Sequence, residues 1–514
     1  MAARLESASP RRSRLRRSKK VCALIHGAPA KASLTTLPFI NRKIDNPRIC
    51  ASIGATHSVY WDSMPRFSIV ITTTDRPSLL APAVRAALEI RFSDFELVVS
   101  DNFSKQPAAD LLADVRDKRL RIIRTGRRLP VGDHWEFVWE HLTGDFVMYL
   151  GDDNALHPDI LARVDAAIAK YSFDVVMWRG VTYYHPDWDI AYGSLPRHGH
   201  ILGVEPGSTG GLYIVRQDNI LQEYCRDLRL SFLFPCMQNF VFRKSLGDMI
   251  HSRMGRIFWP PNADICCGYL VLGAAAPGAI GFFDGYGAIC GRSRDSNMAT
   301  VYSRGKASRK YHDFVEEHKG QDALPHHEPK FMGMSNTLAA TISQARARMP
   351  DVFEPYKFDV NVLAVKTVED MYVDRTIPWV DDPRFQQEVE QFFLSLPADI
   401  SAKVREYRDI CAAKLSQTEA EIAAAHASAP SGPPPLLWVA DGGKTVYVNL
   451  TALGVEQGVG NVAARLPEIL AVIEKMTTGA SVDAFVRQCR AHGFLGARVD
   501  ADLGALRPQA AAPG

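Results

Sequence analysis

Asp152 and Asp153 stand side by side in Gly151-Asp152-Asp153-Asn154, directly after the apolar run Phe146 to Leu150. Adjacent carboxylates on a loop make a hard-oxygen site suited to Mg²⁺ or Mn²⁺, ions that keep several waters and take further ligands from substrate phosphates. The same residues can instead form a turn and cap the helix that Pro158 opens, and spacing alone leaves both readings open. Asp75 and Asp101 follow two other apolar runs, Phe67 to Thr72 and Phe95 to Ser100. Asp101 is the weaker signal alone, because Asp-Asn is a common turn pair.

The elements that must carry these residues alternate along the chain. Phe67–Thr72, Phe95–Ser100, Leu120–Arg124, Phe146–Leu150 and Asp174–Trp178 read as strands, rich in β-branched and aromatic residues. Helical patterns separate them: one opened by Arg76-Pro77, then Pro107–Val115, Gly132–Leu142 and Pro158–Tyr171. Such alternation predicts βαβ units and a mostly parallel sheet. Ligands then sit outside the carboxyl ends of the strands, where the acidic residues fall. No GxGxxG follows the first strand, which disfavours a dinucleotide site.

Four segments taken together, SIVITTTDRP (68–77), ELVVSDNFS (96–104), HWEFVWEHLTGDFVMYLGDDN (134–154) and HPDIL (157–161), resemble the inverting family 2 glycosyltransferases of GT-A fold. The resemblance covers residues 65–185 well and 186–300 loosely. It implies transfer of a sugar from a nucleotide diphosphate sugar, expected to be UDP-linked, to an acceptor hydroxyl. It places Thr72 and Thr74 against the base and ribose, Asp101 on the base ring N–H, Asp152 near the ribose and Asp153 on the metal, Mn²⁺ or Mg²⁺. The family's usual Tyr-Asn after the first strand is Thr74-Asp75 here, and its frequent Asn is His134.

An inverting transfer needs a general base opposite the leaving diphosphate. The resemblance points to Asp264, in Trp259-Pro260-Pro261-Asn262-Ala263-Asp264, where the family often has Glu-Asp. Asp264 also reads as the N-cap of an apolar helix, Ile265–Leu272. Asp284 is the reserve candidate and reads as a hairpin residue. The loop Gly291–Ser296 is Gly-led and basic, suited either to a diphosphate or to solvent. His198, His200, His326 and His327 read as surface residues, and Trp178, Tyr183, Tyr184 and Trp188 as core or as acceptor-stacking aromatics.

The whole chain of 514 residues carries 46% hydrophobic and 23% charged residues, ordinary for a globular protein. Nine scattered cysteines without a CxxC pair favour reduced thiols and a cytoplasmic setting. The net charge of +3 conceals a basic segment: residues 1–63 hold twelve Lys/Arg against three Asp/Glu. That segment is expected to be a disordered tail. Phosphate or membrane contact, an Arg/Ser-rich transit peptide and a true start at Met64 stay open. The acidic remainder gives no reason to expect nucleic-acid binding. The uncharged stretch Ile265–Phe283 is broken by Pro277 and glycines, so it reads as helix, turn and strand rather than a membrane span.

The expected organisation is α/β: a GT-A-like domain over 64–300, with a nucleotide-sugar half (64–185) and an acceptor half (186–300). A helical region (301–429), a Pro-rich linker (430–435) and a small α+β module with its tail (436–514) follow. Gly442-Gly443-Lys444-Thr445 lacks the spacing and the following helix of a phosphate loop. The leading expectation is a metal-dependent cytoplasmic glycosyltransferase, peripheral to the membrane at most, whose acceptor is a glycan, lipid-linked or small-molecule hydroxyl. The alternatives are a catalytically silent GT-A-like binding or scaffold protein, and a nucleotidyltransferase. The latter should carry glycines in the loop after the first strand, and 72–77 has none.

Overall fold

The computed structural model describes residues 64–188, 199–230, 233–259, 262–294, 333–373, 383–427, 435–440, 445–476 and 484–499. The basic segment 1–63, His198, His326, His327, Pro260-Pro261, Asp295-Ser296, 431–434 and 441–444 lie outside them.

Four strands form the parallel centre: β1 (Phe67–Thr73), β2 (Phe95–Asp101), β3 (Leu120–Arg124) and β4 (Phe146–Gly151). β1 pairs in parallel with β2 and with β4, and β2 with β3, giving the order β3-β2-β1-β4. β1 is buried on both faces, which is why its sequence is a continuous apolar run rather than an alternating one. The connecting helices are α1 (Pro77–Leu88), α2 (Val131–Trp139) and α3 (Ile160–Tyr171). The helix expected over Pro107–Val115 is a single turn, Ala108–Leu111.

The second half mixes directions. β5 (Ala155–Leu156), β6 (Val175–Tyr184), β7 (Ile201–Val204), β8 (Leu212–Val215), β9 (Phe240–Arg243) and β10 (Ile280–Arg292) extend the sheet. β9 runs antiparallel between β4 and β6, and β10 runs parallel to β6. α4 (Gln217–Asp227), α5 (Lys244–Met254) and α6 (Ala263–Ala274) cover this half. α6 is apolar all round and buried almost throughout, a core helix. Among the described residues no helix is long and apolar enough to cross a membrane.

Helices α7 (Met334–Arg348), α8 (Val360–Tyr372), α9 (Pro383–Ser395) and α10 (Ala398–Ala427) follow. They reach the sheet domain at α6, where the Tyr269 and Phe353 rings stack 5.2 Å apart. Gly273 permits this approach, since a Cβ there would stand 2.2 Å from the Phe353 ring. The last segment has the α+β content expected of it: β11 (Leu437–Ala440), β12 (Thr445–Asn449), α11 (Val459–Met476), α12 (Ala484–Ala491) and β13 (Leu495–Arg498). Its strands join the main sheet. β12 pairs with β7 and β13 with β8, while Val459, Val462, Leu466 and Ile469 of α11 share one apolar core with Leu80, Ala83, Val84 and Ala87 of α1. The fold is therefore the expected GT-A-like α/β sheet with flanking helices and a helical C-terminal region.

Two local readings change. Asp284 lies inside β10, where the register with β6 shifts, so it belongs to a bulge and not to a hairpin. His200 is buried, bonded to the Tyr183 hydroxyl and the Val455 carbonyl, and is no surface residue. Trp178, Tyr183, Tyr184 and Trp188 are buried in the core, as the first of their two readings had it.

Candidate active site

The Asp152-Asp153 pair forms the turn that ends β4. Thr73, at the end of neighbouring β1, donates its hydroxyl to Asp152 Oδ2 at 2.6 Å. Arg76, three residues further on, spans both carboxylates: Nη2 lies 2.6 Å from Asp152 Oδ1 and Nη1 donates to Asp153 Oδ2 at 3.2 Å. Burial pushes Asp152 up to about 6; the Arg76 charge opposes this and the Asp153 charge adds to it. Asn154 accepts the Gly291 N–H at 2.7 Å, so the end of β10 is bolted to the carboxylate turn. His185 Nε2 lies 3.0 Å from the Asp153 carbonyl. A carbonyl only accepts, so the ring carries a proton on Nε2, and burial holds this histidine below its ordinary value.

Beside Arg76 a cleft of about 230 Å³ opens at the carboxyl ends of β1 and β2, lined by Thr73, Asp75, Arg76, Ser104, Lys105 and Gln106. Asp75 has a left-handed backbone, φ 53°, which Asp and Asn tolerate better than most residues. It ties the two loops together: its N–H donates to Ser104 Oγ at 3.0 Å and its Oδ1 accepts the Lys105 N–H at 2.7 Å. Asp101 is only 1% exposed. Its carboxylate accepts the backbone N–H groups of Ser104 and Ala108 and pairs with Arg124. Burial raises it, yet these partners together hold it below the ordinary range. Asp101 thus shapes the cleft loop. Thr72 shares a register row with Ser100, whose hydroxyl is 2.8 Å from His134 of α2. It therefore faces away from Asp152, and Thr73 is the threonine that meets the carboxylates. Thr74 is half-buried in the loop between them.

Asp264 lies in the first turn of α6; the N-cap is Asn262. Burial raises Asp264 against the pull of the Ile265 and Asp264 backbone N–H groups. Burial raises the Cys236 thiol, and the Asp264 charge adds to it. The chain leading to Asp264 is held by Glu136 of α2, whose Oε1 accepts the N–H groups of Ile257 and Phe258, each at 2.6 Å. Asp284 is spent elsewhere: Oδ2 accepts the Thr209 N–H and hydroxyl, both at 2.7 Å, and Oδ1 faces Arg179 at 3.3 Å.

Residues 68–243 match the family described as Glycosyl transferase family 2. This part of the chain is a family 2 glycosyltransferase domain. Solved structures similar to the chain include S. aureus TarS 1–349 in complex with UDP-GlcNAc, at 15% identity and TM-score 0.44, covering 73% of this chain and 95% of that one. TarS 1–349 in complex with UDP is similar at 14% identity and TM-score 0.41, with 74% and 95% covered. S. aureus TarS is similar at 14% identity and TM-score 0.41, with 73% and 57% covered.

The contacts around the carboxylate turn and the chain before α6 include Thr73, Arg76, Glu136 and His185, none of which the sequence singled out; Asn154 and Gly291, which it did, are bonded to each other. Arg76 and Glu136 lay inside quoted segments, but nothing in their spacing distinguishes a clamp from a surface charge. Among the described residues no group of three His, Cys, Asp or Glu could hold a metal ion by itself. One or two carboxylates beside an open cleft do fit a cation that completes its shell with phosphate oxygens and water.

Proposed function

We propose that this glycosyltransferase is inverting and metal-dependent, moving a sugar from a nucleotide diphosphate sugar, UDP-linked, to an acceptor hydroxyl. The observation that carries the proposal is the carboxylate pair at the end of β4, set beside the cleft between the loops that follow β1 and β2. The nucleoside lies in that cleft, and its diphosphate points toward Arg76 and Asp153. Thr74 contributes to the cleft from its rim. Thr72 and Asp101 act through the strand end and the loop they form rather than by touching the base. Asp153, with Asp152 behind it, would hold Mn²⁺ or Mg²⁺, whose charge offsets the negative charge that grows on the leaving diphosphate.

Asp264 is the general base. Its raised affinity for a proton suits removal of one from the acceptor hydroxyl. The acceptor oxygen forms the new bond to the anomeric carbon as the bond to the diphosphate breaks, and the hydroxyl proton ends on Asp264. The neutral His185 and the Asn154 bond to Gly291 keep the Asp153 turn in place while charge moves.

The test is a pair of variants. Asp264→Asn should bind Mn²⁺ and UDP normally, while kcat falls by about 10²-fold or more. Asp153→Ala should lose Mn²⁺-dependent UDP binding in calorimetry. Near-normal turnover in the first variant removes Asp264 as the base; unchanged affinity in the second removes Asp153 as the metal ligand.

A further inference from the structure

Arg76 occupies the position from which it can serve two anions. Its guanidinium faces the Asp152-Asp153 pair on one side, and its side chain lines the nucleotide cleft on the other. It is also partly exposed, at 23%, whereas Asp152 is fully buried. Without nucleotide, the fork neutralises much of the charge of the carboxylate pair. A divalent cation approaching Asp153 would then meet a positive charge already bonded to the carboxylate, at Oδ2.

We propose that Arg76 exchanges partners, leaving the carboxylates for the donor diphosphate, so that metal binding at Asp153 is conditional on nucleotide. A diphosphate offers the guanidinium planar, two-point acceptors comparable with those it gives up. Its departure restores the full negative charge of the pair next to the phosphate oxygens that complete the cation's shell. Thr73 holds Asp152 Oδ2 throughout, at 2.6 Å, so the pair stays aligned when the arginine swings away. By linkage the effect is reciprocal: nucleotide tightens metal by the same factor by which metal tightens nucleotide. The enzyme would thus hold metal only weakly at rest and would assemble its electrostatic site around a bound donor. This rests on the assignment of Asp153 as the metal ligand.

The test is titration of Mn²⁺ into the full chain, followed by loss of the free-ion electron paramagnetic resonance signal, with and without UDP. Wild type should bind Mn²⁺ weakly alone and at least about tenfold more tightly with UDP. Arg76→Gln removes the charge; it should bind Mn²⁺ alone about tenfold more tightly than wild type, bind UDP more weakly, and lose most of the coupling. Arg76→Lys keeps the charge without the fork, and should keep the weak Mn²⁺ binding of the donor-free protein while losing UDP affinity. Melting curves confirm that each variant is folded, and the lysine variant carries the comparison if the glutamine variant is not. Equal donor-free Mn²⁺ affinity in wild type and Arg76→Gln overturns the exchange, as does Arg76→Lys binding Mn²⁺ alone as tightly as wild type does with UDP. Absence of Mn²⁺ binding in every sample, UDP included, overturns the metal assignment itself and is a distinct result.

Discussion

Gly291 lies so close to Asp153 that a Cβ on it would stand 1.9 Å from the Asp153 carbonyl oxygen and 2.8 Å from His185 Nε2. No side chain fits there, and the neighbour in the way is backbone. Gly291→Ala must therefore push the end of β10 off the carboxylate turn, breaking the bond from Gly291 N–H to Asn154. The expected cost is about 1–3 kcal/mol of stability, with weakened UDP binding. Thermal melting and calorimetry check both, and a variant with wild-type values in both shows that the two segments are not coupled.

Glu136 ties α2 to the chain that leads to the base. Glu136→Ala leaves the Ile257 and Phe258 N–H groups without their carboxylate, a loss of about 1–3 kcal/mol. Because those residues precede Asp264, kcat should drop while UDP affinity stays within twofold or so of wild type. Glu136→Gln keeps an acceptor oxygen and should restore most of the rate. An alanine variant that loses UDP affinity and kcat in parallel would indicate general unfolding instead of displaced chemistry.

How much of this was legible in the sequence follows from what each signal measures. Continuous apolar runs report burial on both faces, so β1, β2 and β4 were readable nearly to the residue. The position of the carboxylate pair at a strand end was readable, but spacing left a cation site and a turn equally open, and the pair does form the turn that ends β4. Side-chain direction was harder: Thr72 and Thr73 differ only in parity, and the strand's exact register decides which one meets Asp152. Asp101 on its own read as a turn residue, and only the resemblance gave it a base contact; the Ser104, Ala108 and Arg124 groups that its carboxylate meets could not be read from the sequence. Long-range pairings such as β12 on β7 and Asn154 with Gly291 leave no local trace at all.

The base should be visible in the pH dependence of turnover. Burial raises Asp264 above the ordinary carboxylate value of about 4. Below its raised value the group is protonated and cannot accept the acceptor's proton, so kcat should fall on the acid side at a pH above that ordinary value. Asp264→Asn should lose this limb together with most of the rate. A wild-type limb that persists in the variant belongs to another group.

Asp152 should be visible in stability. In the native protein it titrates near 6, against about 4 in the unfolded chain. Between those values the native state carries the extra proton, so this residue adds stability as pH falls from 7 toward 5 and withdraws it as pH rises through 6. Asp152→Asn lacks the proton site. The difference in melting temperature between wild type and variant should therefore shift in favour of wild type on acidification. A difference that is flat from pH 7 to 5 would show that Asp152 is not held up by burial.

The attachment of the last segment to the first half of the sheet governs how the enzyme can be made. Tyr171 bonds to the Val499 carbonyl, His200 to the Val455 carbonyl, and α11 packs on the helix that begins one residue after Arg76. The two hydrogen bonds join positions 328 and 255 residues apart, and the helix contact spans more still. Closing such loops is entropically costly, and folds rich in them assemble slowly. A nascent chain would leave the edge of β7 uncapped and α1 uncovered until residues 445–476 have been made. α1, whose first turn lines the cleft, would wait longest for its partner, and chains lacking α11 would expose its apolar face to chaperones and proteases.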